Sequence, residues 1–151
     1  MLIDLVSEEL IRLNIEASDW QDAVRQAVQP LKEAGKIKQS YIDGIIENVK
    51  EAGPYIVITP HVALPHTRPE MGAIEAAIGI ATLKHPVEFG NEANDPVKYL
   101  FCLSARDNNG HLSALADLAN LIENQEFFDL LDRATDPKEI MDFLKVQNKE
   151  G

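Results

Sequence analysis

The chain has 151 residues, of which 45% are hydrophobic, and this predicts a single domain over residues 1–151 with an ordinary core. Its 25 acidic and 14 basic residues give a net charge of -11. A chain this acidic, without a Lys/Arg cluster, is poorly suited to bind nucleic acid or an anionic membrane surface.

The N-terminal segment MLIDLVSEEL carries acidic residues and no early basic residue, unlike a secretory signal. The longest apolar run, Ala76 to Leu83, is too short to span a bilayer. The one cysteine, Cys102, allows no intramolecular disulfide, which fits a reducing compartment. We therefore expect a cytoplasmic protein that does not bind nucleic acid.

The first third of the chain is predicted to form a short strand and two helices. Alternating polarity predicts a strand over Ile11–Ile15. Ser18 begins a capping-box spacing, SDWQ, ahead of an amphipathic helix in which Pro30 should kink or thin the last turn. A second helix is predicted from Gln39 to Glu51, ended by Gly53-Pro54.

The middle of the chain is rich in β-branched and small residues, which predicts strands. In the strand predicted from Ile74 to Leu83, the small residues Ala77, Gly79 and Ala81 share one face, so helices can cover both sides. Val97–Ser104 is almost entirely apolar and is predicted to be a central strand. Two further strands are predicted over Tyr55–Thr59 and, at an edge, over Pro86–Phe89, and a loop is predicted from Gly90 to Pro96.

The last third is predicted to be helical again. One helix begins at about His111 after the turn Asn108-Asn109-Gly110, Asn124 caps a short helix, and Asp136-Pro137 begins another. This order of elements predicts an α/β domain in which a mixed sheet is sandwiched between helices, a three-layer α/β/α architecture.

The segment ITPHVALPHTRPE, Ile58 to Glu70, contains the first candidate site. Its three prolines restrict the backbone, and Val62, Ala63 and Leu64 can anchor it in the core. The result should be a stiff loop that presents His66 in a fixed orientation, as phosphoryl transfer requires.

His66 is a suitable carrier of a phosphoryl group because a neutral imidazole has a nucleophilic nitrogen at physiological pH. Arg68 lies two residues further on and, with the neighbouring Thr67, is the candidate for phosphate binding or for docking a partner. The alternative is that His66 is an ordinary surface histidine.

His111 is the second candidate catalytic residue. Its predicted place at a helix N-terminus favours an anion and a neutral ring, which can donate an N–H to a phosphoryl oxygen. The alternative is that His111 only caps the turn before the helix.

Other candidate residues give weaker indications. His61 and His66 have no standard zinc spacing, although together with His111 they leave a three-histidine metal site open. His85 is expected to be exposed and Cys102 to be buried and inert. The chain has no glycine-rich phosphate loop and no G-x-S-x-G motif. We predict a site that uses neither a cofactor nor a metal.

From Gly53 to Glu70 the sequence GPYIVITPHVALPHTRPE resembles the enzyme IIA components of the bacterial sugar phosphotransferase system. The similarity is to the mannitol/fructose-type superfamily, and its GPY…ALPH.RPE pattern is similar to the ascorbate-specific branch. The segments PVEFG, NDPV and HLSALADLANLI extend the resemblance over nearly the whole chain.

This resemblance implies a phosphorylated histidine at His66, with His111 beside it. It also implies a relay: the domain takes a phosphoryl group from the histidine-containing phosphocarrier protein and gives it to a cysteine of enzyme IIB, which is coupled to the membrane sugar channel, enzyme IIC. His61 occupies a position where the family usually has Gly or another small or polar residue. Mannitol-type relatives carry an Arg where this chain has Glu47-Asn48-Val49, which leaves Arg68 as the nearest candidate cation.

The sequence leaves three other functions open, one of which is a purely structural or scaffold domain that needs none of the histidines. A regulatory phosphoprotein of the same fold would carry phosphate without passing it on. A metal-dependent hydrolase would use His61, His66 and His111 as metal ligands.

Overall fold

A mixed sheet of five strands forms the middle layer of the protein. The structure is a computed structural model that describes residues 2–106 and 112–150. The strand order is β1-β4-β5-β3-β2, with β1/β4 and β3/β5 parallel and the other two pairs antiparallel. The strands are β1 (Ile11–Ile15), β2 (Val57–Thr59), β3 (Val62–Ala63), β4 (Ala77–Val87) and β5 (Val97–Ser104). The helices are α1 (Trp20–Glu33), α2 (Gln39–Ala52), α3 (Leu112–Ile122), α4 (Gln125–Arg133) and α5 (Pro137–Glu150).

Each face of the sheet is covered by helices, as the sequence predicts. One hydrophobic cluster lies between the sheet and α1 and α2, and the other lies between the sheet and α3, α4 and α5. A Cβ added to Gly79 would lie 2.7 Å from the Cδ1 atom of Leu31, so the small face of β4 is what lets α1 pack closely. The predicted three-layer α/β/α architecture is confirmed.

Several element boundaries also follow the sequence. β1 and β5 have the predicted bounds, and β5 lies in the centre of the sheet. The Asn124 side chain accepts a hydrogen bond from the backbone N–H of Phe127. The Glu139 side chain accepts a hydrogen bond from the backbone N–H of Asp136. These two hydrogen bonds cap the N-termini of α4 and α5, as predicted.

The predictions around β4 need correction. The strand begins at Ala77 rather than Ile74, and it continues to Val87, so Pro86–Phe89 is not a separate edge strand. The pairing of β1 with β4 ends at Leu83. Pro86 therefore lies beyond β1, and on its other side it falls in the irregular stretch of the β4–β5 pairing between Thr82 and Val87, where a proline is tolerated.

Three boundaries nearer the N-terminus also differ from prediction. The helix α1 is capped by Asp19, not Ser18, because the Asp19 carboxylate accepts the backbone N–H of Asp22. The strand predicted from Tyr55 begins at Val57, since the Tyr55 N–H is turned back to the carbonyl of Gly53. The two-residue strand β3 was not predicted, being too short to show a pattern.

Pro30 lies inside α1, which continues to Glu33. Because proline has no N–H, it cannot pair with the carbonyl of Gln26 one turn earlier. The Nη1 atom of Arg12 donates to that carbonyl at 3.1 Å, so the helix tolerates the proline through a contact with β1.

Within the described residues, no helix combines the length and the apolar character needed to cross a membrane.

Candidate functional site

The loop that carries His66 lies at the carboxyl end of the central strand. It follows β3, which is parallel to β5, and the N–H of Leu103 near the end of β5 donates to the carbonyl of Pro65 at 3.0 Å. Pro65 is buried, whereas His66 is half-buried. The loop is therefore anchored in the sheet one residue before the imidazole.

The His66 ring is fixed through its Nδ1 atom. This atom lies 2.5 Å from the carbonyl oxygen of Leu64, and the N–H of Leu64 donates to the carbonyl of Ile56 at 2.7 Å. A carbonyl can only accept a hydrogen bond, so Nδ1 carries a proton, and in the neutral ring Nε2 holds the lone pair. The nucleophilic nitrogen of this histidine is therefore Nε2.

Tyr55 contacts His66 in two ways. Its hydroxyl donates to the carbonyl oxygen of His66 at 2.6 Å, and the two rings meet edge to face, with centroids 5.4 Å apart and an interplanar angle of 86°. Burial raises the pKa of the Tyr55 phenol, partly offset by hydrogen bonding from the Asn48 and Thr67 side chains. The phenol is thus a neutral donor.

Thr67 is held between α2 and β5. The Nδ2 atom of Asn48 donates to the Thr67 hydroxyl at 2.5 Å, and the Thr67 N–H donates to the Tyr41 hydroxyl at 3.3 Å. Tyr41, only 2% exposed, donates in turn to the carbonyl of Leu103 at 2.7 Å. Burial raises the pKa of Tyr41 to about 12, so this support stays neutral at physiological pH.

A cleft of about 440 Å³ opens beside these residues, between the end of α2 and the histidine loop. The residues that line it are Asn48, Glu51, Ala52, Tyr55, His66, Thr67, Arg68 and Pro69. Arg68 is exposed, and none of the ion pairs among the described residues includes it. The cleft thus combines a nucleophilic nitrogen, an uncommitted guanidinium and hydroxyl and amide groups, a set that suits a phosphoryl group.

Three of the predicted site residues, the consecutive His66, Thr67 and Arg68, line this one cleft. The fourth, His111, lies outside the described residues.

His61 lies at the other end of the sheet. The His61 carbonyl accepts a hydrogen bond from the N–H of Tyr99, whereas the carbonyl of Pro65, next to His66, accepts one from the N–H of Leu103. These two positions on β5 are roughly 13 Å apart at the usual rise of a strand. His61 has a φ of 70°, in the left-handed region that favours glycine, and its Nδ1 atom lies 2.8 Å from the carbonyl of Pro96. Its role here is in the turn between β2 and β3.

The remaining predicted residues have structural environments. His85 is exposed, as expected. Cys102 is fully buried, and burial raises the pKa of its thiol well above the ordinary value, as expected for an inert thiol. Within residues 2–106 and 112–150, no group of three or more His, Cys, Asp or Glu side chains is arranged to hold a metal ion.

Sequence reasoning missed Tyr55, Asn48 and Tyr41. Tyr55 was assigned to a strand, and Asn48 was considered only as part of the stretch that replaces an arginine. Tyr41 lies within the predicted second helix, where nothing in the sequence connects it with His66. The GPY motif was a signal for Tyr55, but its contact with a residue eleven positions later depends on the turn at Gly53, whose φ is 91°.

The chain is similar in sequence and in fold to proteins of one known family. Residues 4–147 match the family described as "Phosphoenolpyruvate-dependent sugar phosphotransferase system, EIIA 2". The chain is 38% identical over 145 residues to the ascorbate-specific PTS system EIIA component of Shigella boydii, covering 95% of this chain and 94% of that protein.

Solved structures show the same fold. The solution structure of the mannitol-specific cryptic phosphotransferase enzyme IIA CmtB from Escherichia coli has a TM-score of 0.82 and 33% identity, with coverage of 94% of this chain and 97% of that one. The Escherichia coli complex of mannitol enzyme IIA with phosphorylated enzyme IIB has a TM-score of 0.78 at 21% identity, covering 93% of this chain and 96% of that one, a likeness of fold alone. Because the family match spans almost the whole chain and a relative is 38% identical over it, this protein belongs to the EIIA 2 family of the sugar phosphotransferase system.

Proposed function

We propose that this protein is an enzyme IIA phosphocarrier that accepts a phosphoryl group on the Nε2 atom of His66 and passes it to enzyme IIB. The observation that carries the proposal is the hydrogen bond from Nδ1 of His66 to the Leu64 carbonyl. It leaves Nε2 unprotonated in the neutral ring, in a residue that lines a cleft together with Arg68.

The reaction needs little from the protein beyond positioning and charge. Nε2 attacks the phosphorus atom of the phosphorylated histidine-containing phosphocarrier protein. The new Nε2–P bond forms as the P–N bond of the donor breaks, and the donor imidazole leaves with the electron pair of that bond. The proton on Nδ1 stays in its hydrogen bond with Leu64 throughout. In the second transfer a cysteine thiolate of enzyme IIB attacks the same phosphorus, and His66 becomes the leaving group.

Arg68 and Thr67 are the proposed phosphate-binding residues. The Arg68 guanidinium, exposed and without an ion pair among the described residues, balances the charge of the phosphoryl oxygens. Thr67 supplies a hydroxyl that Asn48 holds at the edge of the cleft.

His111 is proposed to donate an N–H to a phosphoryl oxygen. Support comes from its place in the sequence, between the end of β5 and the first residue of α3, Leu112, because β5 ends beside the His66 loop. A helix N-terminus favours an anion there.

The proposed substrate system is an ascorbate-like one. The support is the 38% identity to the Shigella boydii protein, which is ascorbate-specific. Sugar selection lies mainly in the membrane channel, enzyme IIC, so the chain is proposed to match an enzyme IIB of that branch.

Incubation with phosphoenolpyruvate, enzyme I and the phosphocarrier protein tests the proposal. We expect an acid-labile mass gain of one phosphoryl group, assigned to Nε2 by ³¹P NMR, and His66→Ala should abolish it. His85→Ala is the matched control, because His85 is exposed and lies outside the cleft. Phosphorylation that persists in His66→Ala would contradict the proposal, and a phosphoprotein that no enzyme IIB discharges would favour the regulatory function instead.

His111→Ala is expected to accept the phosphoryl group but to pass it on slowly. The measurement is single-turnover transfer from the isolated phosphoprotein to enzyme IIB. Equal rates for this variant and the wild type would contradict the proposed role of His111.

A further inference from the structure

We propose that Tyr55 is a positioning residue for this reaction, which holds the His66 backbone and the edge of its imidazole so that Nε2 points into the cleft. This inference rests on the proposed function of His66. Nothing in the family match assigns a role to Tyr55, and its hydroxyl is not proposed to touch the phosphoryl group.

Two independent contacts carry the argument. The Tyr55 hydroxyl donates to the His66 carbonyl at 2.6 Å, and the phenol ring packs edge to face on the imidazole at 5.4 Å. The first contact fixes the backbone from which the imidazole projects. The second restricts rotation of the ring, since edge-to-face packing is favourable over a limited range of angles.

The backbone of Tyr55 is held on both sides of the residue. Its own N–H donates to the carbonyl of Gly53 at 2.8 Å, and the next residue, Ile56, is fully buried. The Ile56 carbonyl accepts the N–H of Leu64, whose carbonyl accepts Nδ1 of His66. The turn after α2 therefore reaches the imidazole from two directions, through Tyr55 on one side and through Leu64 on the other.

This arrangement matters because Tyr55 is 39% exposed. It belongs to neither hydrophobic core cluster, so its two contacts with His66 are separate from the packing of the core. Its exposed position would also suit a residue that docks a partner, so the experiment must separate positioning from docking.

The experiment compares Tyr55→Phe and Tyr55→Leu with Tyr99→Phe as the matched control. Tyr99 also donates its hydroxyl to a single acceptor, Asp132, but it pairs with Val62 at the far end of β3. Transfer from the phosphorylated carrier protein is measured for its maximal rate and its KM, with thermal unfolding recorded for each variant.

We expect Tyr55→Phe to lower the maximal rate about tenfold, as the loss of one orienting hydrogen bond does. Tyr55→Leu should lower it roughly 100-fold, since it removes both contacts and lets the nucleophile move. KM should be unchanged in both variants, and Tyr99→Phe should transfer at the wild-type rate. A raised KM at an unchanged maximal rate would overturn the proposal and make Tyr55 a docking residue, and an equal loss in Tyr99→Phe would reduce the effect to general destabilisation.

A second readout does not depend on phosphorylation. In protein labelled with ¹⁵N-histidine, the wild-type His66 should show one neutral tautomer, with the proton on Nδ1, and Tyr55→Leu should show a mixture of tautomers. An unchanged ¹⁵N spectrum in Tyr55→Leu would overturn the positioning role even if transfer were slow. Failure of the wild type to accept phosphate, or phosphorylation of His66→Ala, would instead refute the proposed function of the site.

Discussion

The two ends of β5 both have a histidine and a tyrosine nearby, yet they differ in how their polar groups are satisfied. At the amino end, Tyr99 donates to Asp132, Lys98 forms an ion pair with the same carboxylate at 3.2 Å, and His61 lies against Pro96. At the carboxyl end, Arg68 has no ion pair among the described residues.

This difference separates a structural cluster from a candidate site. Charges that are paired within the fold have little left to offer a ligand, and they contribute to stability instead. The exposed guanidinium of Arg68 and the unprotonated Nε2 of His66 have no such partners within the described residues. They are therefore available to bind a ligand. The comparison can be tested by perturbing each end and measuring transfer and stability separately.

Arg68→Ala should give the largest effect on function. Phosphoryl transfer to His66 is expected to fall by roughly 100-fold, since the variant removes the cation that stabilises developing phosphoryl charge. Thermal unfolding should not change, because Arg68 is exposed and no ion pair of the described residues includes it. Single-turnover kinetics with the phosphorylated carrier measures this, with Lys98→Ala as the control cation at the other end. Equal losses in both variants would mean that overall charge, not the site, is responsible.

Tyr41 should make the free energy of unfolding fall as the pH rises in the alkaline range. Its pKa is raised to about 12 from the ordinary 10.0, so its contribution is complete below pH 10 and is lost as the pH rises through about 12. The expected loss is about 2–3 kcal/mol in the free energy of unfolding. The measurement is the difference in unfolding free energy between wild type and Tyr41→Phe. That difference should fall between pH 10 and 12, whereas a constant difference would contradict the prediction.

Asp132→Ala should perturb the amino end without affecting function. It removes the acceptor of Tyr99 and the partner of Lys98, and we expect a loss of about 1–2 kcal/mol in the free energy of unfolding. Denaturant unfolding and phosphoryl transfer measured on the same sample check this. A transfer rate well below that of the wild type would show that the two ends are coupled.

Thr67→Val should slow transfer about tenfold, because it removes a hydroxyl of the proposed phosphate site while keeping the side-chain shape. Thr67→Ser retains the hydroxyl and is the matched control. If valine and serine at position 67 give the same rate, the hydroxyl has no part in transfer.

His61→Gly should have the smallest effect. Glycine adopts the φ of 70° found at this position without strain, but the contact between Nδ1 and Pro96 is lost. We expect these effects to offset to within about 1 kcal/mol of stability, with unchanged phosphoryl transfer. A large loss of phosphoryl transfer would indicate a direct role for His61 and would contradict a purely structural role for the amino end of β5.

The sequence by itself determined the layered fold and the loop that bears the nucleophile. Periodicity of apolar residues and local capping spacings act over a few residues, so β5, α4 and α5 were predictable, as were the small face of β4 and the proline-rich segment around His66. Boundaries that depend on a neighbouring strand, such as the extension of β4 through Pro86, were predicted wrongly.

Only the tertiary structure decided which nitrogen of His66 is free and which side chains surround it. The hydroxyl of Tyr55 and the amide of Asn48 reach the loop from outside it, and no local pattern encodes those contacts. The Leu64 carbonyl is only two residues from His66, but Leu64 is itself held by a hydrogen bond to Ile56. The tertiary structure also separated His61 from His66, five residues apart in sequence, because the chain between them runs alongside β5, from Tyr99 to Leu103. A side chain's partners depend on distances in space, which a spacing along the chain does not fix.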